Sequence, residues 1–325
     1  MLKTRALIAG FMLTAATIWY AGAAEAKMEF TFGMQDTQGD NVYQGVEAMK
    51  KKLEELSGGE MTMTLFPASQ LGDFKAMTAQ VQEGELDFTI NGYPDMSYLI
   101  PELKLIGEPY VIKDYDHLLS VIDGPYGQEM AKKFEAAGVR VLDVWYFGTR
   151  QTTSNKPING IEDMKGLKLR TPNVDFLIDY AKAVGAIPSP VAFQEVYLAL
   201  QTNQVDAQEN PLPTIKSMKF YEVQKNIALT NHFVASKAVT ISEKTWAKLN
   251  NEQRGWVVEA AKAGREVTNK LIMDDEANLV SFFKEQGITV TQPDLAPFRA
   301  AMQPFYEKLE EQFGAGSIDE IAASQ

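Results

Sequence analysis

Apolar and polar residues alternate over Met28 to Met34 ("MEFTFGM"), which predicts a strand, and Asn41 to Leu56 changes to a helical period. Val42, Val46, Met49 and Leu53 share one face of that helix, and Ser57-Gly58-Gly59 ends it. Met61 to Phe66 alternates again and is closed by Pro67; Asp73 caps a helix through Val81 that Gly84 stops; Leu86 to Ile90 reads as a short buried strand entering a turn at Gly92 and Pro94. This β-α-β-α-β order predicts an α/β fold with a parallel, doubly wound sheet. The order then restarts: strands over Val139 to Tyr146 and Leu167 to Arg170, helices over Val174 to Val184 and Phe193 to Gln201, and strands around Val205 to Ala207 and Thr230 to Ile241. From Ser242 to Gln286 the helical pattern is nearly continuous, broken mainly at Asn250-Asn251, and no proline interrupts it. A helix of that length braces two domains more readily than it belongs to one. Without a Gly/Ser-rich linker, two such units imply several chain crossings and a hinge.

The first residues form a basic start (Lys3, Arg5), an apolar run from Ala6 to Tyr20, and small residues in Ala24-Glu25-Ala26. They read as a secretory signal peptide over 1–26, cleaved before Lys27, so the mature chain is expected to be exported. About 300 residues remain, which exceeds one ordinary core. The chain has no cysteine, which excludes disulfides and thiolate metal sites. Its net charge of -12 argues against nucleic acid and anionic membrane as partners. An acidic protein also repels small anions, so binding one requires an enclosed cationic site.

Reactive constellations are scarce. There are only two histidines, His117 and His232, and His117 opens a helix that reads as a surface one, "DYDHLL". No metal-ligand motif, nucleophile elbow or phosphate-binding loop is present, so no catalytic residue, metal or cofactor is expected. What stands out is a pair of arginines at the ends of apolar strands: Arg150 in "VLDVWYFGTRQTTSN" and Arg170 in "GLKLRTPN". Ligands of open α/β sheets bind beyond the carboxyl ends of the strands, and two guanidiniums there would clamp a carboxylate. The alternative is that each arginine pairs with an internal acid such as Glu195 or Glu209. Asn173, Asn210 and Gln208 are amide donors near the same strand ends, with turn and cap roles beside Pro172 and Pro211 as their alternative.

The blocks "INGIEDMKGLKLRTPN", "GAIPSPVAFQEVYLALQTNQVDAQENP", "KFYEVQKNIALTNH" and "FPASQLGDFKAM" together resemble the solute-binding proteins of tripartite ATP-independent periplasmic (TRAP) transporters, with the sialic-acid-binding members nearest through "FGTRQTTSN" and "EVYLALQTN". The resemblance implies two α/β domains with a hinge and a long domain-spanning helix, split as 27–147 with 236–275 and 148–235 with 276–325. It implies a periplasmic, non-enzymatic protein that delivers a carboxylated solute to the small and large subunits of a sodium-coupled permease. Arg170 matches the arginine that pairs with the ligand carboxylate, Arg150 the second arginine, and Asn210 an amide meeting the same carboxylate. Asn173 follows Arg170 at the family spacing, and Phe193 matches an aromatic packing on the ligand.

The chain departs from the sialic-acid type at three positions: Gln35 stands where that type has Asn, Phe74 where it has an acid, and Gly92 where it has a glutamate. These positions meet the ligand away from its carboxylate. Losing acceptors there penalises a ligand rich in hydroxyls at that end. A smaller sugar acid, a uronate or aldonate, is therefore the expected ligand, with sialic acid or a C4-dicarboxylate or other organic acid as alternatives. Asn91 and Tyr93 are candidates for replacing the lost hydroxyl contacts. The competing function is an exported sugar-acid lyase or isomerase, which would need Glu209 or Glu195 as its base. An adhesin or other structural interaction protein would leave the two arginines without a purpose.

Overall fold

The computed structural model describes residues 27–324. The signal segment expected at 1–26 lies outside the described residues. Among the described residues no helix is long and apolar enough to cross a membrane.

Among the described residues nine strands form the sheet: β1 (Met28–Met34), β2 (Met61–Phe66), β3 (Phe88–Gly92), β4 (Val139–Ser154), β5 (Lys168–Thr171), β6 (Ile187–Pro190), β7 (Ala207–Pro211), β8 (Asn226–Ser242) and β9 (Thr289–Thr291). Their order is β2-β1-β3-β8-β4-β7-β5-β6, with β9 beside β8. Pairing is parallel within β1, β2 and β3 and within β5, β6 and β7, as the repeated β-α pattern predicts. It is antiparallel wherever β4 and β8 meet β3, β7 or each other. The sheet is therefore mixed rather than wholly parallel. β4 and β8 are also much longer than the sequence pattern suggests, because both run from one half of the molecule into the other. Their ladder is interrupted by register shifts, one of them between Tyr146 and Gly148, and Gly148 has φ +103°. Glycine adopts that conformation without steric cost. Its presence there marks a bulge inside the strand, where the sequence pattern reads an end.

Helix α1 (Asn41–Leu56) buries Val42, Val46, Met49 and Leu53 as its periodicity requires. Helix α2 (Phe74–Glu83) is capped by Asp73, whose side chain accepts from the Ala76 N–H, and ends at Gly84 in the left-handed region. The long helix Asn251–Glu285 starts with a capping box between Asn250 and Gln253. At 1.5 Å per residue it spans about 50 Å. Its Val257, Ala260 and Ala261 join the core of the β1–β3 half, while Leu279 and Phe283 join a core in the β5–β7 half. It thus packs on both halves. A smaller apolar cluster, in which Phe74 meets Val174, Phe176, Leu177 and Phe233, joins the halves beneath the groove between them.

α1 crosses the long helix at near backbone contact. A Cβ on Gly45 would fall 1.8 Å from Thr268 Oγ1 and 2.8 Å from the Gly264 carbonyl oxygen, and one on Gly264 would fall 2.5 Å from the Trp145 ring. Alanine in a helix interior gains about 1 kcal/mol in propensity over glycine, but overpacking against an immovable carbonyl costs about 1–3 kcal/mol. The clash wins, and Gly45→Ala should lower the urea midpoint. A midpoint at or above that of the wild type would contradict this packing.

His117 is buried rather than on the surface. Its Nδ1 accepts from the Lys113 N–H at 3.1 Å and its Nε2 lies 2.9 Å from the Ile321 carbonyl oxygen, so it ties the C-terminal helix to the core.

Candidate solute-binding cleft

The groove between the halves closes over a cavity of about 320 Å³. Strand β5 and the turn after it bring Arg170 and Asn173, β4 brings Phe147 and Arg150, and β7 brings Asn210. Phe193 follows β6, Gln35 and Asp36 follow β1, Phe74 opens α2, Gly92 ends β3 and Lys237 lies within β8. Of the ten residues expected at the site, eight line this cavity: Arg170, Arg150, Asn210, Asn173, Phe193, Gln35, Phe74 and Gly92.

Asn91 and Tyr93 do not. β3 continues through Gly92, so residues 91 and 93 face away from the side to which 92 points. The Asn91 amide donates to the Phe74 carbonyl and to the hydroxyls of Thr78 and Thr89, and Tyr93 stacks on Phe134 in the core. Both are side chains of the packed interior.

The two arginines differ. Arg150 lies within β4, not beyond its end, and its Nε and Nη2 grip Glu209, with Nη2 at 2.9 Å from Oε1 and 2.7 Å from the Glu209 carbonyl. The internal-acid alternative therefore holds for Arg150, with Glu209 as the partner, while Glu195 is exposed. Glu209 is fully buried and also accepts from His232 Nε2 at 3.1 Å, and His232 Nδ1 accepts from the Thr230 hydroxyl at 2.9 Å. Burial alone would raise the Glu209 carboxyl, but the charge of Arg150 and the bonds from His232 and Arg150 outweigh it and hold it down at about 2. Burial lowers the pKa of His232, keeping it neutral. Glu209 is thus a locked counter-ion, with no lone proton-accepting role to offer a reaction.

Arg170 has no such partner. Its Nε and Nη2 both donate to the Val191 carbonyl, at 2.9 and 2.7 Å, and among the described residues no carboxylate lies within ion-pair distance. It is 2% exposed. Burial pulls its pKa down to about 10 against the more distant charge of Glu209, with the Arg150 charge adding to the fall, which leaves it cationic at neutral pH. A buried guanidinium with one carbonyl as its acceptor among the described residues keeps donors that can take an anion. Asn210 donates to Gln208 Oε1 at 2.7 Å, which fixes its amide beside the two arginines.

A third cation was not anticipated. Lys237 sits in the apolar run "FVASKAVTI", pairs with Asp36 at 2.5 and 2.7 Å, and lies 4.2 Å from the centre of the Phe147 ring. A lysine flanked by apolar residues within a strand carries the same signal that singled out Arg170. Asp95, on the turn after β3, also lines the cavity, and burial raises its carboxyl above the ordinary range. The halves also touch directly: Gln194 Nε2 donates to the Gln35 carbonyl at 3.0 Å, and Lys104 pairs with Asp175 at 2.7 Å.

Residues 32–312 match the family model described as bacterial extracellular solute-binding protein, family 7. The chain is 47% identical over 311 residues to the sialic acid-binding periplasmic protein SiaP of Vibrio cholerae, covering 94% of this chain and 96% of that one. A TRAP periplasmic solute-binding protein of Polaromonas sp. JS666 bound to D-erythronate superposes with a TM-score of 0.88 at 32% identity, over 92% of this chain and 99% of the other. One from Roseobacter denitrificans with bound β-D-glucuronate gives a TM-score of 0.87 at 28% identity, over 91% and 100% of the two chains.

Proposed function

The chain belongs to the bacterial extracellular solute-binding proteins of family 7, and from that premise we propose that it captures a sugar acid, a uronate or an aldonate, in the periplasm. It then presents the solute to the small and large membrane subunits of a TRAP transporter for sodium-coupled uptake. The observation that carries this reading is Arg170, a buried cation in the cleft with no carboxylate at ion-pair distance among the described residues. The solute carboxylate supplies the missing counter-ion. Arg150, held in place by Glu209, and Asn210 orient that carboxylate, while Phe193 packs on the body of the solute.

The halves divide as 27–147 with 236–275 and 148–235 with 276–325, and the Gly148 bulge in β4 is the hinge. Support comes from the two crossing strands and from a long helix that packs on both cores. A solute touching both halves stabilises the closed form because it makes both sets of contacts only there.

Sialic acid is the second reading, favoured by the 47% identity to SiaP. Against it stand Gln35, Phe74 and Gly92, all on the cavity wall contributed by the β1–β3 half. A thermal-shift panel separates these readings. A solute at about 1,000 times its dissociation constant stabilises by about 4 kcal/mol, so D-glucuronate, D-galactonate or D-erythronate should raise the melting temperature by several degrees at millimolar concentration. A shift with sialic acid alone would reverse the ligand assignment, and no shift with any carboxylate would refute the proposed function.

A further inference from the structure

Gly92 and Asp95 are packed as one unit in the cleft wall. A Cβ at residue 92 would lie 2.2 Å from Asp95 Oδ2 and 2.4 Å from its Cγ. The Asp95 carboxylate therefore fills the space that any larger residue at 92 would need. Asp95 is half-buried, and the charges it feels are those of Arg150, Lys237, Glu209 and Arg170, with no protein hydrogen bond to it among the described residues. The other acids at the cleft are engaged: Asp36 by Lys237, Asp73 by the Ala76 N–H that it caps, and Glu209 by Arg150 and His232. Once these pairs are set aside, the described residues leave the cleft one cation without a carboxylate at ion-pair distance, Arg170, and one carboxylate without a protein donor, Asp95.

A solute that satisfies both must bring a carboxylate to Arg170 and hydrogen-bond donors to Asp95. Burial opposes ionisation of Asp95, while the charges of Arg150, Lys237 and Arg170 beside it favour the carboxylate. An ionised carboxylate accepts only, and its two oxygens match a pair of neighbouring hydroxyls. Bonds to an ionised acceptor are about twice as strong as neutral ones. A second carboxylate on the solute would meet like charge in a desolvated space, which is strongly disfavoured. We propose that Asp95 is the selectivity residue of the cleft: it accepts hydrogen bonds from solute hydroxyls and turns away solutes carrying a second carboxylate. This rests on the carboxylate-solute reading above and narrows it to hydroxylated monocarboxylates. The absence of a side chain at Gly92 is what makes room for that acceptor.

The test is calorimetric titration of D-glucuronate, D-erythronate and succinate into the wild type, Asp95→Asn and Gly92→Ala. The wild type should prefer a hydroxy acid to succinate. Asp95→Asn should shift the ratio of hydroxy-acid to succinate affinity toward succinate by about 100-fold, the scale on which a lost hydroxyl contact and a removed like charge act together. Gly92→Ala, whose Cβ displaces the Asp95 carboxylate, should shift the ratio in the same direction by less. Such a change of ratio cannot come from misfolding, which weakens all three solutes alike. An unchanged ratio in Asp95→Asn, an equal loss for all solutes, or a wild type that prefers succinate overturns the role of Asp95 while the carboxylate site stands. A wild type that binds none of the three overturns the carboxylate-solute reading, and the inference with it.

Discussion

Arg170→Ala is expected to lose high-affinity solute binding, by about 10²–10⁴-fold, while the ligand-free protein keeps its melting temperature or gains slightly. Truncating one partner of a buried, hydrogen-bonded charge pair costs about 2–5 kcal/mol, which sets the size of the loss. The sign of the stability effect follows from burial. Without solute, the Arg170 guanidinium is removed from water with the Val191 carbonyl as its one acceptor among the described residues. Desolvating a charge without a counter-ion is unfavourable, so removing it relieves the empty cleft. Arg170→Lys keeps the charge but not the fork and should recover only part of the affinity. Calorimetry with the best thermal-shift solute, paired with melting curves of the ligand-free variants, checks both halves. Unchanged affinity in Arg170→Ala would remove Arg170 from the site.

Glu209→Ala should do the opposite to stability. It strands Arg150 and leaves His232 Nε2 without its acceptor in a fully buried position. Breaking a buried pair by removing one member costs about 3–5 kcal/mol. In a chain of this size that lowers the melting temperature by on the order of 10 °C. The pH dependence carries a sign as well. The folded pKa of Glu209, about 2, lies below its ordinary value of 4.5, so the unfolded chain binds the proton more tightly. The contribution of the pair is fully present above about pH 4.5 and is lost as the pH falls toward 2. Urea unfolding at pH 7 and pH 3 should show wild-type stability falling more steeply toward acid than that of Glu209→Ala. Parallel losses would mean that Glu209 is not the linked group.

These two variants separate arginines that the sequence presents as equals. Both follow an apolar run, and both match a family position. The place of Arg170 near a strand end is legible in the sequence because β5 is short and Pro172 follows it. The sequence puts Arg150 at a strand end because Gly148 reads as a stop. In the structure Gly148 is a bulge, and β4 runs on to Ser154 beside β8. The counter-ion Glu209 comes from β7 by strand pairing that is not local in sequence.

α1 was recovered to its residue limits because its apolar positions recur at helical spacing and glycines end it. The sequence reads β3 as a short buried strand ending at Ile90, which leaves Asn91 and Tyr93 as candidates for hydroxyl contacts. Two more residues of strand turn them inward. Asp95 was invisible for a different reason: its importance depends on the space left by Gly92 and on which other acids are already paired, and both are tertiary facts.

The central claim is that a solute carboxylate completes the ion pair that Arg170 lacks. A crystal structure of the protein with the sugar acid that gives the largest thermal shift tests it most directly. The account predicts the carboxylate within about 3 Å of the Arg170 guanidinium, with Arg150 and Asn210 beside it. A solute seated in the cleft with its carboxylate directed away from Arg170, or bound outside the cleft altogether, would contradict it.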